Sequence, residues 1–273
     1  MNLLEKRNWK QTIYLIALSL SLVFTARILF CSSVVFAQSS IYNTQELTPI
    51  DIVLDIDWTI LNPTTEALAE AVPEGVFRHS TGIYRYTKHV VDFLITLHSM
   101  PGVRISFYSG GESERNHDVV KDLYGKINEK MKSNKFQPFK ILSRNDLTEI
   151  SKDPKLGFSD RLKKDISRFF NLRSTVLVDD TRDFVMDGQA RNQIWLGKTY
   201  NDRPQYELAY LERPTDVKYS APNKTEWQRD VDKLLPVLDI LVKAIRDTRI
   251  SKTDFIDHVN RLNYLPRTCK SLF

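Results

Sequence analysis

The sequence predicts an α/β fold: a Rossmann-like three-layer sandwich with a central, mostly parallel sheet, a short flap and no large cap domain. Three observations carry this. Apolar runs recur at 51–55, 103–108, 139–142, 174–178 and 192–196, and each reads as a strand. Stretches with helical spacing lie between them, and strands alternating with helices build parallel sheets. Two of the runs end in carboxylates, Asp55 with Asp57 and Asp179 with Asp180, at the strand ends where open α/β sheets bind ligands.

The elements follow in order. Asp51 opens a strand that releases Asp-x-Asp-x-Thr (Asp55, Asp57, Thr59). Residues 60–84 contain Pro63, Pro73, Gly75 and Gly82 and read as a flap over that strand tip. His89, Val90, Phe93, Leu94 and Leu97 place a helix over 86–99. VRISFY (103–108) is the second strand and ends in Ser109-Gly110-Gly111, before a helix over 112–132. A third strand covers 139–142, a helix carrying Lys163 and Lys164 is expected over 160–170, and STVLV (174–178) delivers Asp179 and Asp180. NQIWL (192–196) is the last strand. A long irregular loop with Pro204, Pro214 and Pro222 follows. Leu234, Leu235, Leu238, Leu241, Val242 and Ile245 then give a helix over 226–247, and a short helix at 252–262 docks the C-terminus.

Chemistry is concentrated at the strand tips. Two carboxylates two residues apart can hold a divalent cation through oxygen, and Mg²⁺ commonly uses one or two carboxylates with waters and a substrate phosphate. A carboxylate can also attack phosphorus. A hydroxyl at Ser109 followed by Gly110 and Gly111 can meet a phosphate oxygen while backbone N–H groups come close. A lysine of the 163–164 pair can supply a fixed positive charge. Asp179 and Asp180 can complete an oxygen-rich cation site with Asp55, with Asp183 close behind.

This ordered set resembles the haloacid dehalogenase superfamily of phosphohydrolases over roughly residues 50–200. The resemblance is nearest to the small-CTD-phosphatase-like group. The segments that carry it are YRYTKHVVDFL (84–94), FKILSRNDL (139–147) and LKKDISRFFNLRSTVLVDDTRD (162–183). It implies that Asp55 is a nucleophile, Asp57 a general acid and base, and Thr59 and Ser109 holders of phosphate oxygens. The Lys-Asp-Ile register makes Lys164 the charge-balancing lysine. Mg²⁺ is implied as cofactor, bound by Asp55, the backbone carbonyl of Asp57 and Asp179, with Asp180 or Asp183 supplementing it. Trp58 stands where the group has a small or acidic residue. The implied substrate is a phosphorylated protein. Exported acid phosphatases acting on small phosphomonoesters, and a silent phosphate-binding module on the same fold, are the alternatives.

The N-terminus carries a separate signal. Lys6, Arg7 and Lys10 precede an apolar run at 12–26, and Val35-Phe36-Ala37 offers a small-residue cleavage point. Residues 1–37 therefore read as a signal peptide, with an uncleaved membrane anchor as the alternative. Residues 38–49 are a polar linker and 50–273 the catalytic domain. The protein is expected to be exported, with membrane contact only through an uncleaved leader. Net charge is +5, of which the leader holds +3, and the remainder argues against a nucleic-acid partner. Cleavage would leave Cys269 without Cys31, so no disulfide framework is expected. The five histidines are scattered and form no zinc pattern.

Overall fold

The computed structural model describes residues 47–202 and 221–264. The leader, most of the linker, most of the proline-containing loop and both cysteines lie outside the described residues, so those expectations stand untested. No helix among the described residues is long and apolar enough to cross a membrane.

The sheet has five strands: β1 (Ile50–Leu54), β5 (Val103–Tyr108), β6 (Lys140–Leu142), β9 (Thr175–Asp179) and β10 (Gln193–Trp195). Their order is β10-β9-β1-β5-β6, and every pairing is parallel. β1 is central and wholly buried, as a parallel strand covered on both faces must be. Its alternation divides the core. Ile50, Ile52 and Leu54 join the larger cluster, and Val53 joins the smaller one on the other face. The buried Asp51 is answered across the register by Arg104, which donates two 2.7 Å bonds to it.

The larger face holds four helices: α2 (Val90–His98), α3 (Ser113–Met131), α6 (Leu234–Ser251) and α7 (Phe255–Tyr264). The smaller face is covered differently. The sequence predicts a helix over 160–170, but only Phe158–Arg161 is helical. The chain then extends through β8 (Leu162–Lys163), which pairs with β7 (Thr148–Glu149). Lys164 bridges to Val185, its N–H donating to the Phe184 carbonyl. 3-10 turns at Ile166–Arg168 and Leu172–Ser174 complete this layer. The apolar spacing of Leu162, Ile166, Phe169 and Phe170 suits a helix, but tertiary pairing of the backbone overrides it. The predicted helix 226–247 is two: α5 (Lys224–Val231) and α6, broken just before Pro236, which lacks the N–H a continuous helix would need.

The flap is more ordered than its prolines and glycines imply. It forms a three-stranded antiparallel sheet of β2 (Leu61–Pro63), β4 (Gly82–Tyr86) and β3 (Val76–His79), with a short helix α1 (Glu66–Ala71) after β2. Arg85 ties it together. Its guanidinium donates to the carbonyls of Leu68, Val72 and Glu74 and pairs with Asp202 at 2.8 Å. A buried arginine whose donors are met this way fixes α1 to the small sheet.

Candidate active site

The parallel register brings the two acidic tips level. Leu54 lies opposite Val178, and the Asp55 N–H donates to the Val178 carbonyl at 2.9 Å, so Asp55 and Asp179 leave adjacent strands side by side. Oxygens of Asp55, Asp179 and Asp180 all lie within 4.8 Å of one another. Into this group reaches Lys164, fully buried, with Nζ 2.5 Å from Asp55 Oδ1 and 2.7 Å from Asp179 Oδ2. Its ammonium also lies 4.8 Å from the centre of the Phe184 ring, a contact that favours a cation. Lys163 points elsewhere, to the carbonyl of Asp183, and Asp183 is exposed and outside the carboxylate group. Extended backbone, rather than a helix, turns these neighbouring lysines to opposite sides.

Three carboxylates around one lysine leave net negative charge in a dry place. Burial, then the charges of Asp179, Asp180 and Asp57, hold the Asp55 carboxyl well above its usual range, against the pull of Lys164. Burial and Asp179 push Asp180 up to about 7. Burial works against the Lys164 charge, but Asp179 and Asp55 outweigh it and raise its pKa. Hard oxygen donors short of positive charge fit a divalent cation such as Mg²⁺. The two strand-tip acids differ in availability. Asp179 already accepts from Lys164 and, at 2.7 Å, from the Thr181 N–H. Among the described residues, the Asp180 side chain accepts only a 3.3 Å bond from Thr199, and its backbone carbonyl accepts from the Trp195 indole at 2.8 Å.

The other predicted residues surround this centre. Thr59 is fully buried, and its hydroxyl has no hydrogen-bond partner among the described residues. Ser109, also fully buried, donates to Asp57 Oδ2 at 3.0 Å and accepts from the Gly111 N–H. Gly110 lies under Phe158, where a Cβ would come within 2.8 Å of the ring, and its carbonyl accepts from Arg144. Asp57 is the most accessible of the acidic pair, with 35% of its side chain exposed.

Two residues the sequence reading missed matter here. Arg115 donates to both Asp57 oxygens at 2.6 Å. It sits in the first turn of α3, and the helix that follows a strand begins at the strand's carboxyl end, so its place near the site was readable. Lys233 donates to the Trp58 carbonyl at 2.5 Å and to Asp230. Trp58 is left-handed, with φ of 61°, where a non-glycine residue costs roughly 1–2 kcal/mol. Lys233 helps hold that turn between Asp57 and Thr59. No local signal links residues so distant in sequence.

No family model matches the chain, and no curated protein matches it. Solved structures do. The fission yeast RNA polymerase II CTD phosphatase Fcp1, as a variant bound to beryllium fluoride, is 13% identical over 77% of this chain and 70% of its own, with a TM-score of 0.43. Another structure of Fcp1, described as an essential RNA polymerase II CTD phosphatase, is 14% identical over 77% of this chain and 69% of its own, with a TM-score of 0.45.

Proposed function

We propose that the chain is a Mg²⁺-dependent phosphomonoester hydrolase that works through an aspartyl phosphate on Asp55. The observation that supports this most is the meeting of Asp55, Lys164, Asp179 and Asp180 at the ends of adjacent strands. Thr59 and Ser109 would hold phosphoryl oxygens. Lys164 would favour the ionised form of Asp55 against burial and offset the charge of an approaching phosphate. Asp57 would give a proton to the leaving oxygen and later take one from the attacking water. Asp55, Asp180 and the backbone carbonyl of Asp57 would hold Mg²⁺, with Asp179 instead orienting Lys164. This reverses the ranking that the sequence suggests. Bound Mg²⁺ would supply Lewis-acid neutralisation of the phosphoryl oxygens.

A phosphorylated protein is the proposed substrate. The partial exposure of Asp57, and a flap of only three short strands rather than a large cap, support access by a side chain carried on a polypeptide. Exposed aromatic rings flank the centre along the sheet: Phe158 beneath Arg144 beyond β5, and Trp195 of β10 beneath Arg182. Export remains part of the proposal, on the leader alone. The test is release of nitrophenol from its phosphate with Mg²⁺ and with EDTA, followed by a comparison of phosphopeptides with nucleotides. No Mg²⁺-dependent turnover of any of these would overturn the reading.

A further inference from the structure

The guanidinium of Arg115 and the hydroxyl of Ser109 both point at one anion, and that anion is the protein's own Asp57. Both Nη atoms of Arg115 donate to it at 2.6 Å, and Ser109 Oγ donates at 3.0 Å. A planar fork plus a hydroxyl is the donor set that a phosphoryl group accepts. The fork is built in, not left on the surface. Arg115 is 8% exposed, and its Nη2 is also fixed by Asn116 Oδ1 at 2.9 Å. Asn116 in turn donates to the Gly111 carbonyl and to Ser143. Gly111 leaves the passage open, since a Cβ there would lie 2.3 Å from Nη2. The flap closes over it, with the Tyr84 ring 5.7 Å from the guanidinium. Arg115 Nε is buried and has no hydrogen-bond partner among the described residues.

We propose that Arg115 is a further phosphoryl-binding residue and that the Asp57 carboxylate stands in its fork until a phosphomonoester displaces it. This rests on the reading of the Asp55 site as a phosphomonoester site. The exchange serves two ends. The substrate takes over donors already aimed and desolvated, so little has to be ordered when it arrives. Asp57 is released from two charge-assisted bonds at the moment its proton-carrying role begins. Without substrate, the same bonds keep it facing away from that work.

The test uses the full chain with Mg²⁺ and two readouts: inorganic phosphate binding by calorimetry, and KM and kcat on nitrophenyl phosphate. Arg115→Gln should weaken phosphate binding by about tenfold or more and raise KM in step, as loss of a charged two-bond contact requires. Arg115→Lys should recover part of the affinity. Asp57→Asn should tighten phosphate binding because the stand-in has lost its charge. The same change in the Arg115→Gln background should tighten it much less. The proposal is overturned if Arg115→Gln binds phosphate like the parent while kcat alone falls, since Arg115 would then only orient Asp57. It is also overturned if Asp57→Asn tightens phosphate equally in both backgrounds, because general repulsion would explain that. Should Arg115→Gln fail to fold, the other single variants decide: no gain with Asp57→Asn, or no loss with Arg115→Lys, overturns it. If the parent chain neither binds phosphate nor turns over, the reading of the site itself falls.

Discussion

Lys164 Nζ sits 2.5 Å from Asp55 Oδ1 with no solvent exposure on the lysine side chain. The lysine answers two carboxylates at once, so removing it leaves Asp55 and Asp179 without their cation in a dry environment, whereas removing Asp55 leaves Lys164 still paired with Asp179. That relationship governs what substitution here must do to stability as well as to activity.

Lys164→Met should abolish turnover and, without Mg²⁺, destabilise the fold by about 3–5 kcal/mol, less whatever Asp55 and Asp179 regain by taking up protons. Lys163→Ala removes only a bond to the Asp183 carbonyl and should cost about 1 kcal/mol or less. Urea melts and initial rates of the two variants check this. Equal effects would remove Lys164 from the site.

Asp55→Asn should also end turnover, with the opposite effect on the fold. Burial and three neighbouring carboxylates make the Asp55 charge unfavourable, so a neutral isostere should leave the Tm in EDTA unchanged or higher. Residual activity near that of the parent would deny Asp55 the nucleophile's role.

Asp180→Asn should raise the Mg²⁺ concentration for half-maximal rate by about tenfold or more, the scale on which ligand surroundings govern metal affinity. Asp179→Asn should lower Tm more than Asp180→Asn, because Asp179 is bonded to Lys164 and Thr181. Magnesium titrations and thermal melts of both variants would show whether that order holds or reverses.

Asp57→Asn should split the two chemical steps. A nitrophenolate leaves without a proton, so a burst of product should precede slow turnover, with phosphate held on Asp55. Phosphoserine, whose leaving group needs the acid, should give no burst. Rapid-quench measurements with both substrates would test this, and equal slowing with no trapped phosphate would place the acid elsewhere.

His98 supplies a pH test remote from the site. Burial lowers its pKa below 6.5, and it packs edge-on against Tyr124 and Phe136 while sharing a 2.8 Å hydrogen bond with the Tyr124 hydroxyl. The unfolded chain therefore takes up this proton at a higher pH than the folded one. The contribution is fully present above about pH 6.5 and falls as the pH drops through that value toward the folded pKa. Melts between pH 5 and 8 should show a Tm slope in that window that His98→Gln reduces. An unchanged slope would show that His98 takes up its proton equally in the folded and unfolded states.

The sequence by itself determined the strands and their acidic ends. Apolar runs such as IDIVL and TVLVD are local signals, and the residues that follow a buried parallel strand must emerge at the sheet's rim. Asp55, Asp57, Ser109 and Asp179 were legible for that reason. Only the tertiary structure decided the rest. Leu162, Ile166, Phe169 and Phe170 have helical spacing, yet β7 and the Phe184–Val185 backbone draw the segment into extended form, which turns Lys164 inward. The proposed preference for Asp180 over Asp179 as metal ligand rests on which oxygens are already bonded. Arg115 on Asp57 and Lys233 under Trp58 join residues far apart in the chain. Periodicity reports which face of an element is buried. It does not report what a long charged side chain reaches, because that depends on register, crossover and burial, which exist only once the chain has folded.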